Sequence, residues 1–457
     1  MQINIIVLAA GKGTRMRSQR AKVLHTIGGI PMISHVLDAA LSLQPASVGV
    51  VLGHQADAIE VQINKIDPRI QRIDQFEQKG TGHAVQVAVD ALPASAVTLV
   101  VYGDVPLIQP QTLEAAIASA TKGRVGLVTA VFADPAQLGR IVRDDEGAIQ
   151  RIVEFKDASP DERQIREINS GILAAPTELL HGWLNKVEPN NQQGEYYLTD
   201  VIAMAVADSV YVDGIFAASP DEVKGVNDRI QLAELERVYQ HQQVEDLMLQ
   251  GLSVADPSRV DIRGTLNIGQ DCFIDINVVF TGDVTLGDNV YIGPNSVISD
   301  STLGDGVQVK PNSVVEGAVV AGGCELGPFA RIRPGTELGR GVKIGNFVEV
   351  KKSKLSAGVK AGHLAYLGDA TIGPDCNIGA GTVTCNYDGR NKHPTVIGRD
   401  VFVGTNSTLV APLHIGDEAF IAAGSTITKA VADSELAVGR GKQRNITGWT
   451  PPVKSKK

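Results

Sequence analysis

Two different rhythms of apolar and polar residues divide this chain. In the first half, short apolar runs alternate with helical patterns. INIIVLA, VGVVLG, VTLVVYG, GRVGLVTAVF and INSGILAA predict strands, and residues 31–43 and 111–121 predict helices between some of them. That alternation predicts an α/β, Rossmann-like domain with a largely parallel sheet. Ligands of such sheets sit beyond the carboxyl ends of the strands, so chemistry is expected in the loops after VLA and VVYG. RIQLAELERVYQHQQVEDLMLQ, from Arg229 to Gln250, contains no Gly or Pro and spaces its apolar residues helically, which predicts one long linker helix.

Beyond Asp261 the period becomes six. Aliphatic residues recur at Leu286, Ile292 and Ile298, at Leu303, Val309 and Val315, from Val320 through Leu326, Ile332, Leu338 and Ile344 to Val350, and from Ile397 through Val403, Leu409, Ile415 and Ile421 to Ile427. Neither an α-helix nor an alternating strand has this period. Gly often follows the aliphatic residue, the hexapeptide signature of a left-handed parallel β-helix, in which three hexapeptides close a coil of about 18 residues. Roughly nine coils are expected between residues 266 and 432. The step from Thr384 to Ile397 is too long for a prism face, so CNYDGRNKHPTV is expected to leave it as a loop. The expected organisation is a nucleotide-type domain over 1–229, a helical linker over 230–250 and a β-helix with a tail over 251–457.

A chain of 457 residues fits two or three domains at roughly 150 residues each. The formal net charge of −9 argues against nucleic acid or an anionic membrane as a partner, so phosphate chemistry must rest on local cations. The four cysteines show neither CxxC spacing nor a neighbouring His pattern, and read as reduced thiols. The opening MQINIIVLAAGKG lacks the basic start of a signal peptide, and no apolar run is long enough to span a bilayer. A cytoplasmic location is expected.

LAAGKGTRM at residues 8–16 follows the first strand, and its Gly-rich turn lets backbone N–H groups approach a phosphate or base. It is not the dinucleotide fingerprint, because Met16 holds the third Gly position, and no P-loop pattern occurs. Arg15 and Lys22 add two cations beside the turn. Asp104, in YGDVPL, ends a strand and is either a Mg²⁺ ligand or a helix cap; Asn227, in KGVND, is either a second oxygen ligand or an N-cap. In the second half, GHLAYLGD offers His363, a side chain suited to take a proton at neutral pH, with Tyr366 nearby.

Together LAAGKGTRM, QKGTGHA, YGDVPL, EINSGI, NQQGEYYLTD and GVND, followed by the hexapeptides, resemble the bacterial sugar-nucleotide pyrophosphorylases fused to a hexapeptide acetyltransferase. The resemblance runs from about residue 3 to about residue 452. It implies uridyl transfer from UTP to N-acetylglucosamine-1-phosphate and acetyl transfer from acetyl-CoA to glucosamine-1-phosphate. Leu8, Ala9, Ala10, Gly11, Gln75, Gly80 and Thr81 would meet the uracil and ribose. Tyr102, Gly103, Gly139, Glu154 and Asn169 would meet the sugar phosphate, with Arg15 and Lys22 on phosphates and Asp104 and Asn227 on Mg²⁺. In the second half His363 would be the general base. Arg333 and Lys351 would hold the sugar phosphate, and Tyr366 and Asn377 the sugar. Ala380, Asn386, Tyr387, Thr405, Ala423 and Arg440 would contact acetyl-CoA, with Thr405 standing where that family has Ser.

The resemblance also implies a homotrimer with coenzyme at subunit boundaries. A shared site also fits the sequence positions: Asn386 and Tyr387 lie on the loop leaving the prism, Ala423 lies about two coils further on and Arg440 beyond the last hexapeptide, so one prism would struggle to gather them all around His363. Two rival readings are a single-function nucleotidyltransferase with a regulatory or structural β-helix, and a β-helix that only trimerises.

Overall fold

The computed structural model describes residues 2–452. The chain divides into two compact units between Gln240 and His241. In the first, nine strands form one sheet: β1 (Ile3–Leu8), β2 (Ser47–Leu52), β3 (Gln71–Asp74), β4 (Val97–Tyr102), β5 (Val125–Val131), β6 (Arg140–Arg143), β7 (Ile149–Val153), β8 (Glu167–Pro176) and β9 (Val212–Phe216). The main order is β9-β5-β8-β4-β1-β2-β3, with β6 on β8 and β7 on β6. β1 lies parallel to both β2 and β4, whereas β8 runs antiparallel between β4 and β5. The sheet is therefore largely parallel, with one reversed inner strand.

Burial on both faces explains why these strands read as continuous apolar runs. Ile5 and Val7 of β1 pack with Ile33 and Val36 of helix Met32–Ser42 and Leu113 of helix Pro110–Ala120. Ile6 and Leu8 face the other way, towards Val85 of helix Thr81–Ala91, Trp183 of Thr177–Leu184 and Ile202 of Asp200–Ala207. The long helix spans Arg229–Leu249. Its Leu235 is buried with Met16 and Met32 in the first unit, and its Val244 belongs to the core of the second.

The second unit is a left-handed β-helix whose short parallel strands stack in three columns. One column forms an 11-stranded sheet from Ser253–Val254 to Leu436–Ala437, and the other two share a 17-stranded sheet. Equivalent residues of neighbouring coils lie 17 or 18 positions apart, as in Ala318 with Ser301 and Lys343 with Glu325. The periodic aliphatics Ile292, Val309, Leu326 and Ile344 stack in register and are fully buried. The stack starts earlier and ends later than residues 266–432. In its first coils Val260–Asn267 and Val278–Leu286 pair as single strands through a corner at Gly264 and Gly282, so the aliphatic residues alternate there and the six-residue beat is lost.

Cys272, Cys324 and Cys376 are buried free thiols, and Cys385 is a half-buried one. Among the described residues no helix is long and apolar enough to cross a membrane.

Two candidate active sites

At the carboxyl ends of β1 and β4, Leu8 pairs with Tyr102, and Gly103 N–H donates to Leu8 O at 3.0 Å. The loops that follow frame a cavity of about 340 Å³ lined by Leu8, Ala9, Ala10, Gly11, Lys22, Gln75, Gly80, Thr81, Tyr102 and Asp104. Four further lining residues, Val23, Gln78, Ala84 and Glu195, were not singled out in the sequence. Gln78 lies inside the quoted QKGTGHA, and its Nε2 donates to Ala10 O at 2.8 Å, holding the Gly-rich turn. Gln75 Nε2 donates to Gly80 O at 3.2 Å. Gly80 has φ +120°, and a Cβ there would lie 2.5 Å from Tyr196 O, so the corner requires glycine. A Cβ on Gly11 would meet nothing within 4 Å, which leaves that side of the turn open to a ligand.

A second cavity of about 710 Å³ is lined by Arg15, Tyr102, Asp104, Asn169 and Asn227 among others, and shares Tyr102 and Asp104 with the first. Asn169 N–H donates to Gly139 O at 2.9 Å, and Glu154 accepts from Thr199 Oγ1 at 3.3 Å. Burial raises the Glu154 pKa. Burial, with the Glu154 and Asp104 carboxylates, pushes the Tyr102 phenol up, so Tyr102 meets a ligand as a neutral hydroxyl. Arg15 lies on this larger cavity and Lys22 on the smaller, so the two cations paired in the sequence reading serve different sides of Asp104.

The point where the cavities meet has the chemistry of a cation site. Lys22 Nζ contacts the Asp104 carboxylate and stands 3.2 Å from Asn227 Oδ1, so two oxygens from distant segments converge on one positive charge. A carboxylate and an amide carbonyl beside phosphate-sized space are the hard oxygen donors that Mg²⁺ takes. Gly13 supports this loop: at φ +57°, a Cβ on it would stand 2.7 Å from Lys22 Cβ.

In the β-helix, register sorts the candidate residues onto two corners. One corner carries, on successive coils, Asn346, His363, Ala380, Thr405 and Ala423, two positions beyond the paired Ile344, Ala361, Ile378, Val403 and Ile421. Arg440 joins it, its Nη1 donating to Ala423 O at 2.6 Å. The expectation that one prism struggles to gather all the coenzyme residues around His363 therefore changes only for Ala423 and Arg440, which share its corner; Asn386 and Tyr387 do not. Residues one coil apart in sequence are one strand spacing apart in space, about 4.8 Å. Asn377 lies on the same face, paired with Lys360 and Phe402.

The other corner closes the next face. Arg333 and Lys351 lie there, with Tyr366 between the corners. Arg333 Nη1 donates to Glu349 at 2.7 Å. Lys392, across the loop from Tyr387, sits beside Lys351 and, with Arg333 and Lys352, lowers the Lys351 ammonium pKa. Four cations crowded together make a candidate anion site, and Lys392 is a member the site assignment from sequence lacked. The CNYDG loop does leave the prism between Cys385 and Thr395, but Asn386 is buried: its Nδ2 donates to Asp369 and, at 3.5 Å, to Tyr366 Oη. The Tyr387 ring is exposed. Asp388 accepts from the Arg390 and Asn391 amides and from His393, which lower its pKa to about 2 and brace the loop.

A sheet with two cavities around an Asp and an Asn, followed by a hexapeptide prism, defines a nucleotidyltransferase joined to an acyltransferase. Residues 5–167 match the MobA-like NTP transferase domain, and residues 266–300 and 394–429 match the bacterial transferase hexapeptide (six repeats). The proteins named "Bifunctional protein GlmU" of Marinobacter nauticus and Stutzerimonas stutzeri are 52% and 54% identical to this chain over 453 and 454 residues. The alignments cover 99% of this chain in both cases, and 99% and 100% of those proteins. The one of Pseudomonas putida is 51% identical over 457 residues, 100% of each. A solved UDP-glucose pyrophosphorylase complexed with UDP-glucose aligns with 53% of this chain and 100% of its own at 17% identity and a TM-score of 0.43. The chain belongs to the bifunctional GlmU family. It is a transferase with two activities, acetyl transfer and uridyl transfer.

Proposed function

We propose that the β-helix acetylates glucosamine-1-phosphate with acetyl-CoA, and that the α/β unit then transfers UMP from UTP to the product, giving UDP-N-acetylglucosamine and pyrophosphate for cell-envelope precursors. The observation that carries this reading is the convergence of Asp104 and Asn227 on one cation position between the two cavities. The smaller cavity, with its Gly-rich turn, takes the uridine. The larger, with Asn169, Glu154 and Tyr102, takes the sugar phosphate. An oxygen of that phosphate attacks the α-phosphorus in line as the bond to pyrophosphate breaks, and Lys22 and Arg15 balance the charge of the phosphates. Asp104 and Asn227 would hold Mg²⁺, which when bound supplies positive charge against the phosphate oxygens. No protein nucleophile is needed.

In the second site the His363 ring takes a proton from the sugar amine as nitrogen bonds the acetyl carbon and the C–S bond of acetyl-CoA breaks; the proton then passes to the departing thiolate. Arg333, Lys351 and Lys392 hold the phosphate, Tyr366 and Asn377 the sugar, and the corner of Ala380, Thr405, Ala423 and Arg440 the coenzyme with Tyr387. Thr405 keeps the hydroxyl of the family's Ser. A homotrimer in the cytoplasm completes the reading. Supplying the full chain with glucosamine-1-phosphate, acetyl-CoA, UTP and Mg²⁺ should release free thiol and UDP-N-acetylglucosamine. Uridyl transfer to added N-acetylglucosamine-1-phosphate without any thiol release from glucosamine-1-phosphate would instead leave the β-helix a scaffold.

A further inference from the structure

The corner that bears His363 has a second feature. Reading up the stack, the residue two positions beyond each buried aliphatic is Pro294, Pro311 and Pro328 on three successive coils, then Asn346, then His363. Proline suits this corner, since the residue after it turns left-handed, at Asn295, Asn312 and Phe329 as at Phe347 and Leu364. The proline column stops one coil beneath the histidine, where an amide takes its place.

That amide touches the imidazole. Asn346 Oδ1 lies 2.5 Å from His363 Nδ1, and the Leu364 N–H donates to Asn346 O at 3.0 Å, fixing the two residues in register. An amide oxygen only accepts, so Nδ1 carries the hydrogen and the neutral ring presents its lone pair at Nε2. Phe347 (φ +58°) and Leu364 (φ +49°) take the same left-handed turn as Phe329 (φ +56°), so the turn belongs to the repeat at this corner and holds the two residues in step.

We propose that Asn346 is the positioning residue of acetyl transfer: it sets the tautomer of His363 so that Nε2 is the proton acceptor. The inference rests on His363 being the base. The titratable groups on the elements around it are Lys360 on its own strand, Lys343, paired with Glu325, on the strand below, and, past the turn, Tyr366 with its register partner Glu349, which is paired with Arg333; the strand above offers Asn377. None of these can take the place of the amide oxygen at Nδ1, which Asn346 already fills.

The test compares Asn346→Leu, Asn346→Asp and His363→Ala in the full chain, with the circular dichroism spectrum and thermal unfolding of each variant matched to the wild type as the check that its β-helix is folded. Asn346→Leu should lower kcat for acetyl transfer by roughly 10- to 100-fold, the usual cost of losing a partner that orients a reactive imidazole. Asn346→Asp keeps the acceptor and should restore much of the rate at alkaline pH. It should also move the acid limb of kcat/KM up by about one pH unit, because a carboxylate favours the protonated ring. Ring ¹⁵N spectra should show His363 with Nε2 unprotonated in the wild type and a mixture of tautomers in Asn346→Leu. If both Asn346 variants keep the wild-type rate, pH profile and tautomer while His363→Ala is inactive, the positioning role is refuted and the base assignment stands. A near-normal His363→Ala refutes both.

Discussion

Lys22 Nζ stands 3.2 Å from Oδ1 of Asn227 although 205 residues separate them, and the same ammonium contacts Asp104. One cation thus ties the Gly-rich loop, the end of β4 and the segment entering the long helix into a single charge arrangement. Asp104→Asn removes the one formal negative charge from that arrangement. Uridyl transfer should fall by about 10²–10³-fold, and acetyl transfer should be unchanged. Parallel assays on the same preparation check this, and a matching fall in acetyl transfer would show that the two sites are not separate.

The long helix is more than a connector to the first site. Glu236 accepts from the Gly28 amide at 2.8 Å, Arg229 Nε donates to Met16 O at 3.3 Å, and Tyr239 packs edge-on against His35 with ring centroids 4.9 Å apart. These contacts clamp the segment that carries Arg15 and Lys22. A fragment ending at Gln250 should retain uridyl transfer. One ending at Asp228, which still contains Asn227, should lose roughly 10²-fold, since small misplacement of phosphate-binding groups is costly. Equal activity of the two fragments would show that the clamp is irrelevant to catalysis.

How much of this was visible in the sequence depends on whether a residue acts through its neighbours in the chain or through its neighbours in space. The six-residue aliphatic beat announced the prism because each buried residue, such as Ile344, fills the interior alone and repeats locally. The apolar runs of β1 and β4 announced a buried sheet for the same reason. Helix Ala56–Ile66 was missed because its buried face rests on only Ile59 and Ile63, and the reversal of β8 has no signature in its own apolar run. Of the sites, motif residues such as Gly80 and Asp104 were legible where loops follow strands. The alignment of His363 with Ala423 and Arg440 was not, because stacking is set by coil length, and the 384–397 loop breaks the count. Lys392 was quoted in that loop but could not be paired with Lys351 until the loop folded back.

The crowding of Lys351 by Lys392 has a measurable consequence. Its ammonium loses a proton at lower pH than an ordinary lysine, and only the charged form holds the phosphate well. The KM for glucosamine-1-phosphate should therefore climb as pH rises from about 7 towards about 10, earlier than for an isolated lysine near 10.4. Lys392→Met removes the repelling charge. It should raise KM at neutral pH by losing one cation, yet shift the remaining climb to higher pH as the Lys351 pKa recovers. A KM that is flat with pH in the wild type would show that Lys351 does not hold the phosphate.

The last prediction concerns how the acetyl site closes. His363 and Asn377 belong to one face and its corner, while Arg333, Lys351 and the 386–392 loop belong to the corner at the far end of the next face, beyond Tyr366. A glucosamine phosphate is far shorter than the path from Asn377 around the His363 corner to Lys351. A flat face of short strands also offers no second wall to exclude water. Both difficulties vanish if the His363 corner of one chain meets the Lys351 corner of another, as closed cyclic packing of identical prisms allows. Chains carrying His363→Ala and chains carrying Lys351→Ala should each be poor acetyltransferases alone. After equal mixing and reassembly into trimers, about a quarter of the boundaries would join an intact His363 to an intact Lys351, so about a quarter of wild-type acetyl transfer should return. Uridyl transfer should be unchanged throughout. A fully active monomer in sedimentation, or no recovery in trimers shown by mass to be mixed, would place the whole acetyl site on one chain.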